Sequence, residues 1–177
     1  MSADGWNARP LSRGSRDLHP AWSPDGLEIA FTRATQPPFA GIWLADVAGG
    51  EPRKLTGPPG YVDSSAAWSP DGTRIAFTRV RPESEVDGAA AIWIMNRDGT
   101  HQREILRHRY FTCCTHGLAW SPDGSTIAFE TSPSRACTAI SLVDVASGGI
   151  RPLTTCTRPR ESALSPAWQR DTTAGAP

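Results

Sequence analysis

The sequence predicts an all-β fold of tandem four-stranded antiparallel sheets, and three observations carry that prediction. First, the hexapeptide AWSPDG recurs at 21–26, 67–72 and 119–124, with a degenerate fourth start, PAWQRD, at 166–171. Second, the repeated tryptophans Trp22, Trp68, Trp120 and Trp168 fall 46, 52 and 48 residues apart. That spacing belongs to a stacked or radial repeat of about 40–50 residues. Third, the apolar runs are short and rich in β-branched and aromatic residues, and turn residues bound them, with 16 Gly and 16 Pro in 177 residues. No helical period of about 3.6 is sustained anywhere.

Aligning the copies gives one plan per repeat. A short strand ends in the tryptophan (HPAW, SAAW, GLAW), and the turn SPDG follows. The second strand reads EIAFTR (28–33), RIAFTR (74–79) and TIAFET (126–131). After a variable loop, the third reads GIWLADV (41–47), AIWIMNR (91–97) and AISLVDV (139–145). A Gly-rich turn then leads to PRKLT (52–56), REIL (103–106) and RPLT (151–154). In IAF the alternation puts Ile and Phe on one face and small Ala on the other, which suits a sheet covered on both sides.

The turn has a mechanism. Proline sets φ at the first corner, Asp25, Asp71 and Asp123 accept a backbone N–H, and Gly26, Gly72 and Gly124 take the left-handed position. These aspartates are therefore read as structural. Trp22, Trp68 and Trp120, with Trp43 and Trp93 on the third strand, are read as payload packed between neighbouring sheets. A sheet of this kind cannot bury both faces alone, and radial repetition supplies the neighbours.

These residues resemble the TolB-type β-propeller repeat: a tryptophan, SPDG, an IAF strand, an aromatic-bearing third strand, a Gly-rich turn and a final LT. The resemblance implies a β-propeller of four-stranded antiparallel blades, with complete blades at 20–56, 66–106 and 118–154. Half-blade strands are expected at 7–12 (NARPLS) and 165–168 (SPAW). The third copy departs at Ser141, where the aromatic is missing, and the fourth departs after Trp168. In the family's namesake such a propeller has six blades, lies in the bacterial periplasm and serves as a protein-binding platform. The same repeat forms the gating propeller of prolyl-oligopeptidase-like enzymes and occurs in oligogalacturonate lyase.

Three blades make an open arc, whose bare faces and strand edges are a liability for a monomer. Three resolutions stand: the chain is a fragment of a larger ring, two copies close a ring as a homo-oligomer, or the terminal strands pair with each other. Equal numbers of basic and acidic residues, 18 each, argue against nucleic acid as a partner. No stretch approaches the ~20 apolar residues of a membrane span. The amino terminus carries no basic-then-apolar leader, so the chain as written is expected in the cytoplasm, and in the periplasm if the true start lies upstream.

The sequence holds no G-x-S-x-G elbow and no Gly-rich phosphate loop. His19 and His116 stand just ahead of first strands, where two imidazoles suit a metal, but no H-x-H or H-E-x-x-H spacing supports one. No catalytic residue, metal or cofactor is expected. Cys113, Cys114, Cys137 and Cys156 have no zinc spacing; a pairing of Cys113 or Cys114 with Cys156 and a set of reduced thiols both remain open. The expected function is a non-enzymatic scaffold that binds a protein or peptide. Candidate contacts are Asp17 and Asp63 at the channel entrance, His19, His116, and the basic-aromatic loop of Arg107, Arg109, Tyr110 and Phe111. The alternative is a propeller piece of an oligopeptidase-like or lyase-like enzyme.

Overall fold

The chain is seen in a computed structural model that describes residues 10, 16–36, 39–82, 90–108, 117–134, 137–155 and 166–168. Every regular element among them is a strand, and the strands form blades of four. The first blade is β1 (Asp17–Trp22), β2 (Glu28–Gln36), β3 (Phe39–Asp46) and β4 (Arg53–Lys54). The second is β5 (Val62–Trp68), β6 (Arg74–Val80), β7 (Ala90–Asn96) and β8 (Arg103–His108). The third is β9 (Leu118–Trp120), β10 (Thr126–Ser134), β11 (Cys137–Asp144) and β12 (Ile150–Pro152). Neighbours within each blade pair antiparallel in sequence order. A lone parallel bridge, Ala40 to Val62, links the first blade to the second.

Two first strands begin earlier than the sequence plan placed them. β1 and β5 continue through a bulge, at Leu18–Ala21 and Ser64–Ala67, where His19 and Ser65 adopt φ of 51° and 57°. The extra residue lets the strand turn its side chains and keep pairing. Asp17, Asp63 and His19 therefore lie inside strands rather than in loops ahead of them. The expected strand at 7–12 lies outside the described residues except Pro10. At the other end, Pro166–Trp168 has no strand pairing.

The SPDG turn closes the same way three times. Gly26, Gly72 and Gly124 donate to the carbonyls of Ser23, Ser69 and Ser121, each at 2.9 Å, with φ near +70° at the glycine. The serine hydroxyls donate to Asp25, Asp71 and Asp123 at 2.6, 2.6 and 2.5 Å. Each aspartate also accepts a backbone N–H two residues on, at 3.0 Å. The final LT has a comparable purpose. Thr56 Oγ1 accepts the N–H of Ile42 at 3.0 Å and Thr154 Oγ1 that of Ile140 at 2.8 Å, so a hydroxyl finishes the ladder where the strand ends.

The serine hydroxyl, and then the backbone amide, hold the Asp25 and Asp123 carboxyls down at about 2, and the Asp71 carboxyl is lowered by the same pair of donors. A carboxylate whose folded value lies below its ordinary 3.8 stabilises the fold above that value. The contribution is lost as pH falls through about 2. Ser121→Ala should therefore move the Asp123 titration upward, read by carboxyl NMR. An unchanged titration would show that the hydroxyl does not hold it.

Packing between blades makes the core. Ile75, Phe77 and Met95 of the second blade interlock with Ala30, Ile42 and Leu44 of the first, with Trp68 beside them. The other face of the second blade, Ala76, Ile92, Ile94 and Leu106, meets Trp120, Ile127, Phe129 and Val143 of the third. Ala128, Ile140 and Leu142 form the third blade's far face. Alternation along IAF thus sends Ile and Phe toward the preceding blade and Ala toward the following one.

Candidate functional site

The first strands of the blades run beside one another, β1 next to β5 and β5 next to β9. Between their tryptophan ends lies a groove of about 970 Å³. Its walls are Pro20, Ala21, Ala66, Ala67, Leu118 and Ala119 from the strands, prolines 24, 70 and 122 from the SPDG turns, and the four repeated tryptophans. Adjacent first strands of this kind hold the position that lines the central channel of a closed propeller.

The tryptophans form a ladder across the blades. Trp68 Nε1 donates to the carbonyl of Ala21 at 3.1 Å, and Trp120 Nε1 to that of Ala67 at 3.1 Å. Trp168 Nε1 donates to Ala119 at 3.0 Å, so the degenerate fourth copy keeps the same contact. Each indole reaches back to the alanine beside the previous tryptophan. Trp68 and Trp120 are buried, whereas Trp22 is 59% exposed and Trp168 39%. The guanidinium of Arg97 lies 5.6 Å from the Trp68 ring and that of Arg74 lies 5.0 Å from Trp120. Arg97 also bonds Glu28 at 2.6 Å and Asp25 at 2.8 Å, fastening the second blade to the first.

Asp17 and Asp63 are each clamped by an arginine of the next strand. Arg33 donates to Asp17 through Nε and a terminal nitrogen at 2.7 and 2.8 Å, and Arg79 does the same to Asp63. Each arginine also stacks on the third-strand indole, Arg33 at 4.6 Å from Trp43 and Arg79 at 4.5 Å from Trp93. Asp63 is wholly buried. Its carboxylate is thus an internal brace and does not face the channel entrance. In the third blade Thr131 and Ser141 occupy the Arg and Trp positions and share a 3.3 Å hydroxyl contact.

Of the other candidates, His19 is exposed on β1. Arg107 is exposed but chelated by Glu104 at 3.1 and 2.6 Å, which holds its guanidinium above its ordinary value. Arg109, Tyr110, Phe111 and His116 lie outside the described residues, as do Cys113, Cys114 and Cys156. Sequence reading missed the clamping arginines and the role of Trp168. The available signal was the third copy, which replaces Asp, Arg and Trp together by Thr115, Thr131 and Ser141. Among the described residues no three His, Cys, Asp or Glu side chains gather as a metal site, and no helix is long and apolar enough to cross a membrane.

Residues 1–174 match the TolB beta propeller domain. The chain belongs to this family. A TolB-type protein of Agrobacterium tumefaciens has the same fold with a TM-score of 0.69 and 21% identity, over 82% of this chain and 52% of that one. An oligogalacturonate lyase in complex with manganese matches with a TM-score of 0.61 at 19% identity, over 78% of this chain and 36% of that one. A puromycin hydrolase matches with a TM-score of 0.67 at 19% identity, over 91% and 25%. The TolB propeller of this chain therefore spans about half of the first structure and less of the others. No curated protein sequence gives a match.

Proposed function

We propose that this chain is a non-enzymatic binding scaffold that seats an extended protein or peptide segment in the axial groove. The observation that supports this reading most is the groove's lining of proline, alanine and tryptophan, with Trp22 and Trp168 exposed at its ends. Aromatic and proline-walled grooves suit extended apolar or proline-bearing segments, which lose little entropy on docking. The balanced charge, 18 against 18, favours such a partner over nucleic acid. A second reading, that the chain is one part of a larger enzyme, draws on the fold likeness to the lyase and the puromycin hydrolase.

Titration with a proline-rich peptide, alongside a scrambled polar control, tests the first reading by tryptophan fluorescence. The expected result is a saturable change with the proline-rich probe that Trp168→Ala diminishes. Turnover of puromycin, or of oligogalacturonate with manganese present, that disappears in His19→Ala would overturn it in favour of the second.

A further inference from the structure

A second cavity, of about 370 Å³, opens where the first blade hands over to the second. Its walls include Lys54, which ends β4, Leu55 and Gly57 just after it, and Arg79 and Gln102 of the second blade. It shares no residue with the axial groove. Three acceptors of this wall are spent on internal bonds. The Gly57 carbonyl takes the Lys54 ammonium at 3.2 Å, the Leu55 carbonyl takes Gln102 Nε2 at 3.4 Å, and Gln102 Oε1 takes Arg79 Nη2 at 3.2 Å. The donors are not spent. An ammonium carries three N–H groups, and among the described bonds Lys54 uses one, on that carbonyl. Arg79 gives Nε and Nη2 to Asp63 and Gln102. Its Nη1 has no acceptor among the described bonds, although the side chain is only 10% exposed. No residue lining the cavity carries a carboxylate.

We infer that this cavity binds a compact oxyanion, the phosphate or carboxylate group of a ligand, through the Lys54 ammonium and Arg79 Nη1. Asp63, wholly enclosed, neutralises Arg79 from behind. Lys54 therefore supplies the net positive charge of the wall, and Arg79 supplies a fixed, directional donor. The guanidinium is braced by Asp63 and by its stack on the Trp93 ring at 4.5 Å, so it is in place before a ligand arrives and loses little freedom on capture. Lys54 is seated as well. Gly57 has a φ of +126°, and a Cβ there would stand 2.7 Å from Lys54 Cε. Glycine thus leaves the room across which the lysine chain lies. Hydrogen bonds from a cation to an oxyanion are roughly twice as strong as neutral ones, which selects an anion over a neutral polar ligand. The binding function proposed above is independent of this site.

Titration of the 177-residue chain with sodium phosphate and, in parallel, with sodium acetate tests it. Ionic strength is held constant with sodium chloride, and the Gly57 backbone amide and Gln102 side-chain amide are followed by NMR. Saturable shifts at both residues are expected. Phosphate binding ahead of acetate would identify a phosphoryl ligand, and acetate equal or ahead a carboxylate; either order supports the site. Lys54→Gln, a change at an exposed position, should keep the fold and weaken binding about tenfold or more, as for one lost charge-assisted hydrogen bond. Arg151→Gln, which removes an equal charge from an exposed position of the third blade, should leave binding unchanged. The anion that binds should also slow acylation of Lys54, the chain's only lysine, relative to chloride, read by peptide mass. Shifts that rise without saturating, that chloride reproduces, or that persist undiminished in Lys54→Gln would each overturn the inference. So would a Lys54 acylation rate that neither anion changes.

Discussion

Asp63→Ala is expected to destabilise the fold by about 3–5 kcal/mol, the range for removing one partner of a buried ion pair. Asp63 is entirely enclosed and the Arg79 side chain is 10% exposed, so the stranded guanidinium has little water to turn to. It would keep its contacts with the rings of Phe77 and Trp93 and lose both carboxylate oxygens. Urea unfolding followed by tryptophan fluorescence measures the loss. Asp17→Ala should cost less, because Arg33 and Asp17 keep 17% and 15% exposure and solvent already screens them. The double variant Asp63→Thr with Arg79→Thr should recover part of the loss, since it leaves no unpaired charge in the interior. A single-variant cost below about 1 kcal/mol would mean that Arg79 swings out and rehydrates.

Phe77→Ala should be equally damaging, at about 3–5 kcal/mol for the lost burial and the cavity left behind. Phe77 is fully buried and belongs to the interface of the first two blades, among Ile42, Leu44, Trp68 and Ile75. Those neighbours sit on two paired sheets whose ladders fix their spacing, so the hole cannot easily collapse. Against a total stability of about 5–15 kcal/mol, such a loss unfolds much of the population. The matched control is Leu27→Ala at a 61% exposed position, which should stay within about 0.5 kcal/mol. Equal midpoints for Phe77→Ala and Leu27→Ala in urea would sink the packing assignment.

Most of the blade was legible in the sequence because its signals are local. The SPDG turn declares itself in four adjacent residues, and its serine, aspartate and glycine bond no further than five residues along the chain. The IAF alternation likewise divides the sheet's faces from three consecutive letters. The inner strands were harder. The bulges at His19 and Ser65 interrupt the alternation at the residues where HPAW and SAAW open, which leaves Asp17 and Asp63 ahead of the legible strands. Their true partners, Arg33 and Arg79, lie 16 residues away across a hairpin. That distance is invisible to a period-two reading, though the joint replacement of the trio by Thr115, Thr131 and Ser141 records it.

The sequence by itself determined the repeating unit: four strands, two kinds of turn, and which face of each strand is greasy. Local periodicity and turn stereochemistry are properties of contiguous residues, so they survive without any knowledge of the whole. Only the tertiary structure decided how units meet. The indole bonds join residues 47, 53 and 49 positions apart, and the Asp63 brace needs a bulge and a hairpin to bring its parts within 2.7 Å. Hydrogen bonds of that length depend on side-chain placement finer than any spacing along the chain can specify.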